Sequence, residues 1–224
     1  MICLMQMIPE ALIYSSDENL SKALSVVLSR TKLDPVCVSR VGGALNLLRR
    51  RKFPAIIVDC LDRPAATDLF ELCRRVGSNK SSIVFALTGA NESAVSLGVS
   101  FAVTRPVDLD VRAFANVLRT AEGMILQDFR RYRRIPINSF AVLDNDEHSL
   151  KLKTVNLSEG GMCVQGEIPG WNKEHKVELT HLEINSRFRA DSYVVWSRNG
   201  RSGIQFRHVR PSARDVLYRW LEAR

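Results

Sequence analysis

The stretch DFRRYRRIPINSF, residues 128–140, packs four arginines into the five positions from Arg130 to Arg134 and then turns apolar. Its reading decides the fold, because the chain changes grammar across it. Upstream, Val111, Phe114, Val117, Leu118, Ala121 and Ile125 keep one apolar stripe at helical spacing, and the pattern runs on through Phe129. If unbroken from Asp108 to Tyr132, this helix spans about 37 Å. Pro136 biases Ile135 out of helical geometry, so the helix is expected to end at or before that residue. The arginines then fall in the last turn or just beyond, where positive charge is favoured by the helix dipole. That explains one or two of them. Four adjacent like charges repel unless an anion or an acidic partner is near.

Working back from this point, short apolar runs alternate with helical patterns from Ala11 to about Val107, the signature of a parallel sheet with helices on both faces. ALIY reads as a first strand, followed by caps at Ser15, Ser16 and Asp17 and a helix carrying Leu20, Leu24, Val27 and Leu28. PVCV is a second strand, and Val41, Leu45 and Leu48 stripe a second helix. AIIVD is a fully apolar third strand of the kind buried on both faces. Leu69, Leu72, Cys73 and Val76 mark a third helix that Gly77 can stop, and SIVFALTG and SFAVTRP complete five strands.

Working forward, SFAVL, LKLKTVNL, GMCVQG, KVELTHLEI, SRFRADSYVVW and RSGIQFRHV are short, often alternating and mostly separated by turn residues, as in a small antiparallel barrel. Val216, Leu217, Trp220 and Leu221 then recur at helical spacing and are expected to cap it. All three tryptophans and all four histidines lie in this second half. The expected organisation is a doubly wound five-stranded parallel domain over residues 1–122, a linking helix and arginine-rich joint over 123–135, and an antiparallel β-barrel with a closing helix over 136–224.

Composition bounds the function. At 224 residues with 46% apolar content the chain has ample material for packed cores. No apolar run approaches the roughly 20 residues a membrane helix needs, and the start MICLMQM lacks a basic leader and a cleavage site, so neither membrane insertion nor secretion is expected. Five scattered cysteines, none spaced C-x-x-C, signal neither a disulfide framework nor a zinc site and fit a reducing cytoplasm. The histidines at 148, 175, 181 and 208 show no metal spacing, and no phosphate-binding G-x-x-x-x-G-K-[ST] occurs. Neither an enzyme nor a cofactor is expected. A formal charge of +8 suits anionic partners. Nucleic-acid binding is a third possibility that this basic balance prompts, though not the partner expected.

In open parallel sheets chemistry gathers at the carboxyl ends of the strands, which here carry Ser15 and Ser16, Asp59, Thr88 and Arg105. This order resembles the receiver domain of two-component signalling over roughly half the chain. IIVDC matches the phospho-accepting aspartate, ALTG the switch threonine, and VTRP the place of the family's lysine before proline. The family also needs an acidic pair after the first strand to hold Mg²⁺; Ser15 and Ser16 stand there, and Asp17 comes one place late. Arg105 is a planar fork where the family uses a compact ammonium. Two readings stay open: an unphosphorylated structural receiver with Asp59 paired to Arg105, and a response regulator phosphorylated at Asp59 with the barrel as output or protein-interaction domain.

In the second half, Arg130 and Arg134 are four apart and fall on one side of a helix or an extended segment. Two guanidinium forks can hold phosphate oxygens bidentately and lie on nucleobases. Asn156 and Ser158, two apart in VNLSEGG, share one face of a strand, and Gly161 lets backbone approach a flat ligand. Alone, that segment reads equally as a polar strand end running into a glycine turn. An R-x-x-x-R before a barrel, with a D/N-x-S-x-x-G some 20 residues later, resembles the PilZ domain, and VVW, GIQF and the closing helix extend the resemblance over residues 128 to 224. That resemblance implies a bacterial receptor for the second messenger cyclic di-GMP. Arg130 and Arg134 would grip phosphates and stack on guanine with Arg131 assisting, Asn156 and Ser158 would contact guanine or phosphate, and Gly160 and Gly161 would admit the ligand. The expected function is a signalling effector in which ligand held at the joint and barrel changes the domain arrangement, acting through a protein partner or a second copy.

Overall fold

The computed structural model describes residues 8–75, 78–89, 98–106, 108–144, 149–168, 175–180 and 188–223. The expected helix stop at Gly77, the stripe position Val76, the start MICLMQM, and His148 and His181 lie outside them. The chain divides into two compact units between Phe129 and Arg130.

In the first unit five parallel strands, β1 (Glu10–Tyr14), β2 (Asp34–Val38), β3 (Ala55–Asp59), β4 (Ile83–Thr88) and β5 (Phe101–Thr104), lie in the order β2-β1-β3-β4-β5. This is the doubly wound order that reverses direction beside β1, so the sheet needs helices on both faces. Alternation along the strands supplies them. Ile13, Ile57, Phe85 and Leu87 pack with Leu20 and Leu24 of α1 (Glu18–Arg30) and with Phe114, Leu118, Ala121 and Ile125 of α4 (Arg112–Tyr132). Leu12, Ile56, Val58 and Ala86 face the other way, onto Ala44 and Leu48 of α2 (Val41–Arg50) and Leu69 and Phe70 of α3 (Arg63–Arg75).

The helix expected from Asp108 begins instead at Arg112 and has 21 residues, about 32 Å. Asp108 and Leu109 take left-handed backbone (φ 50 and 60), which cannot continue into a right-handed helix. The Asp110 carboxylate then accepts from the Arg112 backbone N–H at 3.1 Å, satisfying one of the first-turn donors. The other end stops at Tyr132, as Pro136 requires.

Two polar devices inside this unit had no sequence signal. Lys52, just after α2, forms a 2.5 Å ion pair with Asp128 on α4, and both side chains are largely buried. Asn79, 1% exposed, donates through Nδ2 to the carbonyls of Leu48 and Arg51 at 2.7 and 2.9 Å, while its Oδ1 accepts from the Phe53 N–H and the Ser82 hydroxyl. It ties the end of α2 to the start of β3.

In the second unit six antiparallel strands close into a barrel in the order β10-β11-β8-β7-β6-β9: β6 (Ile135–Asp144), β7 (Ser149–Ser158), β8 (Gly161–Gln165), β9 (His175–Thr180), β10 (Phe188–Arg198) and β11 (Arg201–Val209). Along β6 buried and exposed residues alternate, so Ile135, Ile137, Ala141 and Leu143 enter the core with Leu157, Met162, Val164, Phe188, Ile204 and Phe206. The stripe Leu217, Trp220 and Leu221 of α5 (Pro211–Glu222) completes that core, so the helix caps the barrel as its spacing predicts. Among the described residues no helix is long and apolar enough to cross a membrane.

Candidate functional site

The carboxyl edge of the parallel sheet carries a self-contained polar cluster. Asp59, 2% exposed at the end of β3, accepts from Ser15 Oγ at 2.7 Å on one oxygen and from Arg105 Nε at 3.0 Å on the other. Arg105 also donates through Nη2 to Asp17 at 2.9 Å. Asp17 in turn caps α1 by accepting from the Leu20 N–H, and that bond first, then Arg105, holds its carboxyl below the ordinary range. An open cleft of about 460 Å³, lined in part by Asp17, Thr88, Arg105 and Asp108, lies at this edge.

These residues do not fit the magnesium ion of the receiver family. Ser15 is a neutral hydroxyl already engaged with Asp59 and with the Asp17 N–H where the family has a carboxylate, and one guanidinium bridges the two carboxylates that a cation would otherwise bridge. Among the described residues no group of three or more metal-ligating side chains occurs.

The second cluster lies wholly on the barrel unit. Antiparallel register sets Ile135 opposite Leu157 and Pro136 opposite Asn156, which brings the end of the arginine-rich segment beside β7. Arg134, exposed just before β6, donates from Nη1 to Asn156 Oδ1 at 3.1 Å. The charge of Arg134 also reaches Cys163, the cross-strand partner of Asn156. Burial pushes that thiol up from its ordinary range, while Arg134 and Arg201 pull it down.

Arg130 is stowed differently. It is half-buried at the end of α4, its guanidinium lies over the Tyr218 ring at 5.0 Å, and its Nη1 donates to the Tyr218 hydroxyl. Arg131 is exposed, 6.0 Å from the centre of the Tyr132 ring.

Ser158 and the glycines build the β7–β8 hairpin. Ser158, 2% exposed, donates its hydroxyl to the Gly161 carbonyl at 3.0 Å across the turn, and the two residues are register partners. At Gly160 a β-carbon would stand 3.2 Å from Arg131 Cγ, so this turn abuts the arginine segment. At Gly161 a β-carbon would stand 2.2 Å from the backbone carbonyl of Ile204, a distance no side chain can occupy. Glycine there lets β11 pass close to the hairpin. Gly161→Ala is therefore expected to destabilise the barrel by about 3 kcal/mol or more, since backbone cannot give as a side chain can. Thermal unfolding followed by circular dichroism checks it, and an unchanged midpoint would show that the approach relaxes.

The structure thus brings Arg134 to Asn156, sets Arg131 against Gly160, and turns Ser158 into its own hairpin. Sequence reasoning missed Tyr218, which only tertiary packing brings to Arg130. It also missed the lane across the outer face, where Asn156 pairs with Cys163, Cys163 with Gly203, and Gly203 lies beneath the indole of Trp196, itself 38% exposed.

Fold and sites together define a two-unit chain: a receiver-like α/β unit whose strand-end aspartate is paired with an arginine, then a small barrel entered through arginines. Residues 128–223 match the family model described as the PilZ domain, and this part of the chain is a PilZ domain. Similar solved structures include the PilZ domain of CeSA from a cellulose-synthesizing bacterium, at 16% identity over 41% of this chain and 96% of that one, TM-score 0.35. A Bacillus subtilis inhibitor of motility aligns at 13% identity over 42% and 49%, TM-score 0.37. The first unit is similar to the receiver domain of a Pseudomonas aeruginosa sensor histidine kinase, at 18% identity over 53% and 98%, TM-score 0.44. No curated protein matches the chain.

Proposed function

We propose that the protein is a cyclic di-GMP-binding signalling effector that acts in a bacterial cytoplasm and does no chemistry on its ligand. The observation that carries this reading is the Arg134–Asn156 hydrogen bond, which joins the two halves of the motif across 22 residues on the outside of the barrel. It places a bidentate cationic fork beside a neutral amide, a pairing suited to a phosphate and a base edge of one ligand. Hydrogen bonds to charged groups contribute ~1.5–3 kcal/mol each and a guanidinium over an aromatic face ~0.5–2 kcal/mol. Several such contacts reach the about 8 kcal/mol of micromolar affinity after ordering costs.

In this reading Arg130, Arg131 and Arg134 take the phosphates and guanine faces, Asn156 takes a base edge or phosphate, and Ser158, Gly160 and Gly161 shape the hairpin against which the ligand lies. The arginines end the helix that leaves the first unit, so ligand capture favours one domain arrangement to the extent that it binds that arrangement more tightly. The output passes to a protein partner or a second copy of the chain.

Isothermal titration calorimetry of the whole protein with cyclic di-GMP, beside Asn156→Ala and with GTP as control, tests the reading. Saturable heat, weakened about tenfold by Asn156→Ala and not reproduced by GTP, supports it. No heat at high micromolar ligand overturns it.

The receiver-like unit serves here as an unphosphorylated scaffold, supported by the engagement of both Asp59 oxygens. Acetyl phosphate with Mg²⁺ is expected to leave the intact mass unchanged. The gain of one phosphoryl group, lost in Asp59→Asn, would instead establish a phosphorylated response regulator.

A further inference from the structure

Tyr218 lies on the closing helix α5, outside both motif halves, yet it contacts the first arginine of the pair through both its ring and its hydroxyl. The two arginines are not equally ready. Arg134 is exposed and already directed at Asn156, whereas Arg130 is half-buried, with its guanidinium over the Tyr218 ring and an N–H given to the Tyr218 hydroxyl. A guanidinium lying on a ring and bonded to a phenol cannot present that same edge to a phosphate.

We infer that Tyr218 sets the affinity of the site by competing with ligand phosphate for Arg130, and that ligand capture loosens α5. This rests on the cyclic di-GMP reading above. The exchange replaces a neutral acceptor by an anionic one that adds direct charge attraction to the guanidinium, so ligand wins at a cost. The cost appears as reduced affinity, because only the fraction of molecules with Arg130 released is competent.

The consequence reaches α5 because of what lies beside Tyr218 in the sequence. Leu217, Trp220 and Leu221 seal the barrel core, while Tyr218 sits on the flank of that stripe and is half-buried. Arg210, the N-cap residue of α5, makes no side-chain cap bond, so packing along this short helix, including the Arg130 contact, is what holds it. Losing that contact lowers the local free energy of opening without dismantling the core.

The test is a double-mutant cycle on the whole protein, with cyclic di-GMP as the probe and Kd read by calorimetry. Tyr218→Phe removes the hydroxyl acceptor and keeps the ring, and is expected to tighten binding about three- to tenfold. Tyr218→Leu also removes the π face and is expected to tighten it at least as much. In the Arg130→Ala background, Tyr218→Phe is expected to change nothing. A damaged fold weakens binding, so tightening cannot come from a merely structural role. Amide hydrogen exchange supplies the second readout: saturating ligand, or Arg130→Ala without ligand, should raise exchange in residues 211–221.

Unchanged or weakened affinity in Tyr218→Phe overturns the inference and leaves the receptor reading intact. So does exchange in α5 that neither ligand nor Arg130→Ala alters. Absence of binding by the wild-type protein overturns the receptor reading, and the inference with it.

Discussion

Lys52→Met is expected to destabilise the first unit by about 3–5 kcal/mol, the usual cost of removing one partner from a buried ion pair. Asp128 is 6% exposed on α4, and the ammonium that faces it at 2.5 Å comes from the segment between α2 and β3. Methionine keeps the length and apolar body of lysine but takes its ammonium away from a buried carboxylate. The pair itself need not be a net gain over apolar packing. The double variant Lys52→Met with Asp128→Leu is accordingly expected to recover a substantial part of the loss. Calorimetric unfolding of the full chain should show the first unit's transition moving down in Lys52→Met and partly back in the double variant. If the single variant unfolds within a few tenths of a kcal/mol of wild type, the pair is solvated in solution and does not hold the helix.

The second large effect falls on binding. Arg134→Ala is expected to weaken cyclic di-GMP about a hundredfold or more. Two charge-assisted hydrogen bonds at ~1.5–3 kcal/mol each amount to at least two factors of ten at about 1.4 kcal/mol per factor. Asn156 also loses the donor that orients its amide. Arg134→Lys keeps the charge but not the fork, so its affinity should fall between the two. Because Arg134 is exposed and precedes β6, neither change should shift the thermal midpoint appreciably. Wild-type affinity in Arg134→Ala would mean that the ligand lies elsewhere on the barrel.

The fold was legible because both halves obey simple periodicities. AIIVD reads as a strand buried on two faces, whereas SFAVL marked only the second half of β6, whose alternation shows in burial more than in residue type, with Ser139 buried and Phe140 exposed. The start of α4 was not legible, because residue type does not report the left-handed backbone of Asp108 and Leu109. At the candidate site the types and spacing singled out Arg130, Arg134, Asn156 and Ser158, of which the structure joins Arg134 to Asn156. Spacing could not say which hydroxyl faces outward, and Ser158 closes its own hairpin. Nor could it foresee partners brought in by tertiary packing. Tyr218 meets Arg130 across 88 residues and Lys52 meets Asp128 across a similar separation, and neither has a local signature.

Asn79 carries a consequence for chemical ageing. Its amide nitrogen faces two carbonyl oxygens, and its oxygen faces two donors, so no other side chain of that size can satisfy all four. Loss of ammonia on prolonged warming would turn the nitrogen into a second acceptor opposite those carbonyls and place a charge where the side chain is 1% exposed. Burial and bonding protect the amide while the unit is folded, so the lesion should accumulate only through opened molecules and then prevent their return. Peptide mapping of heat-aged protein should find deamidated Asn79 in the aggregated fraction and little of it in the soluble one.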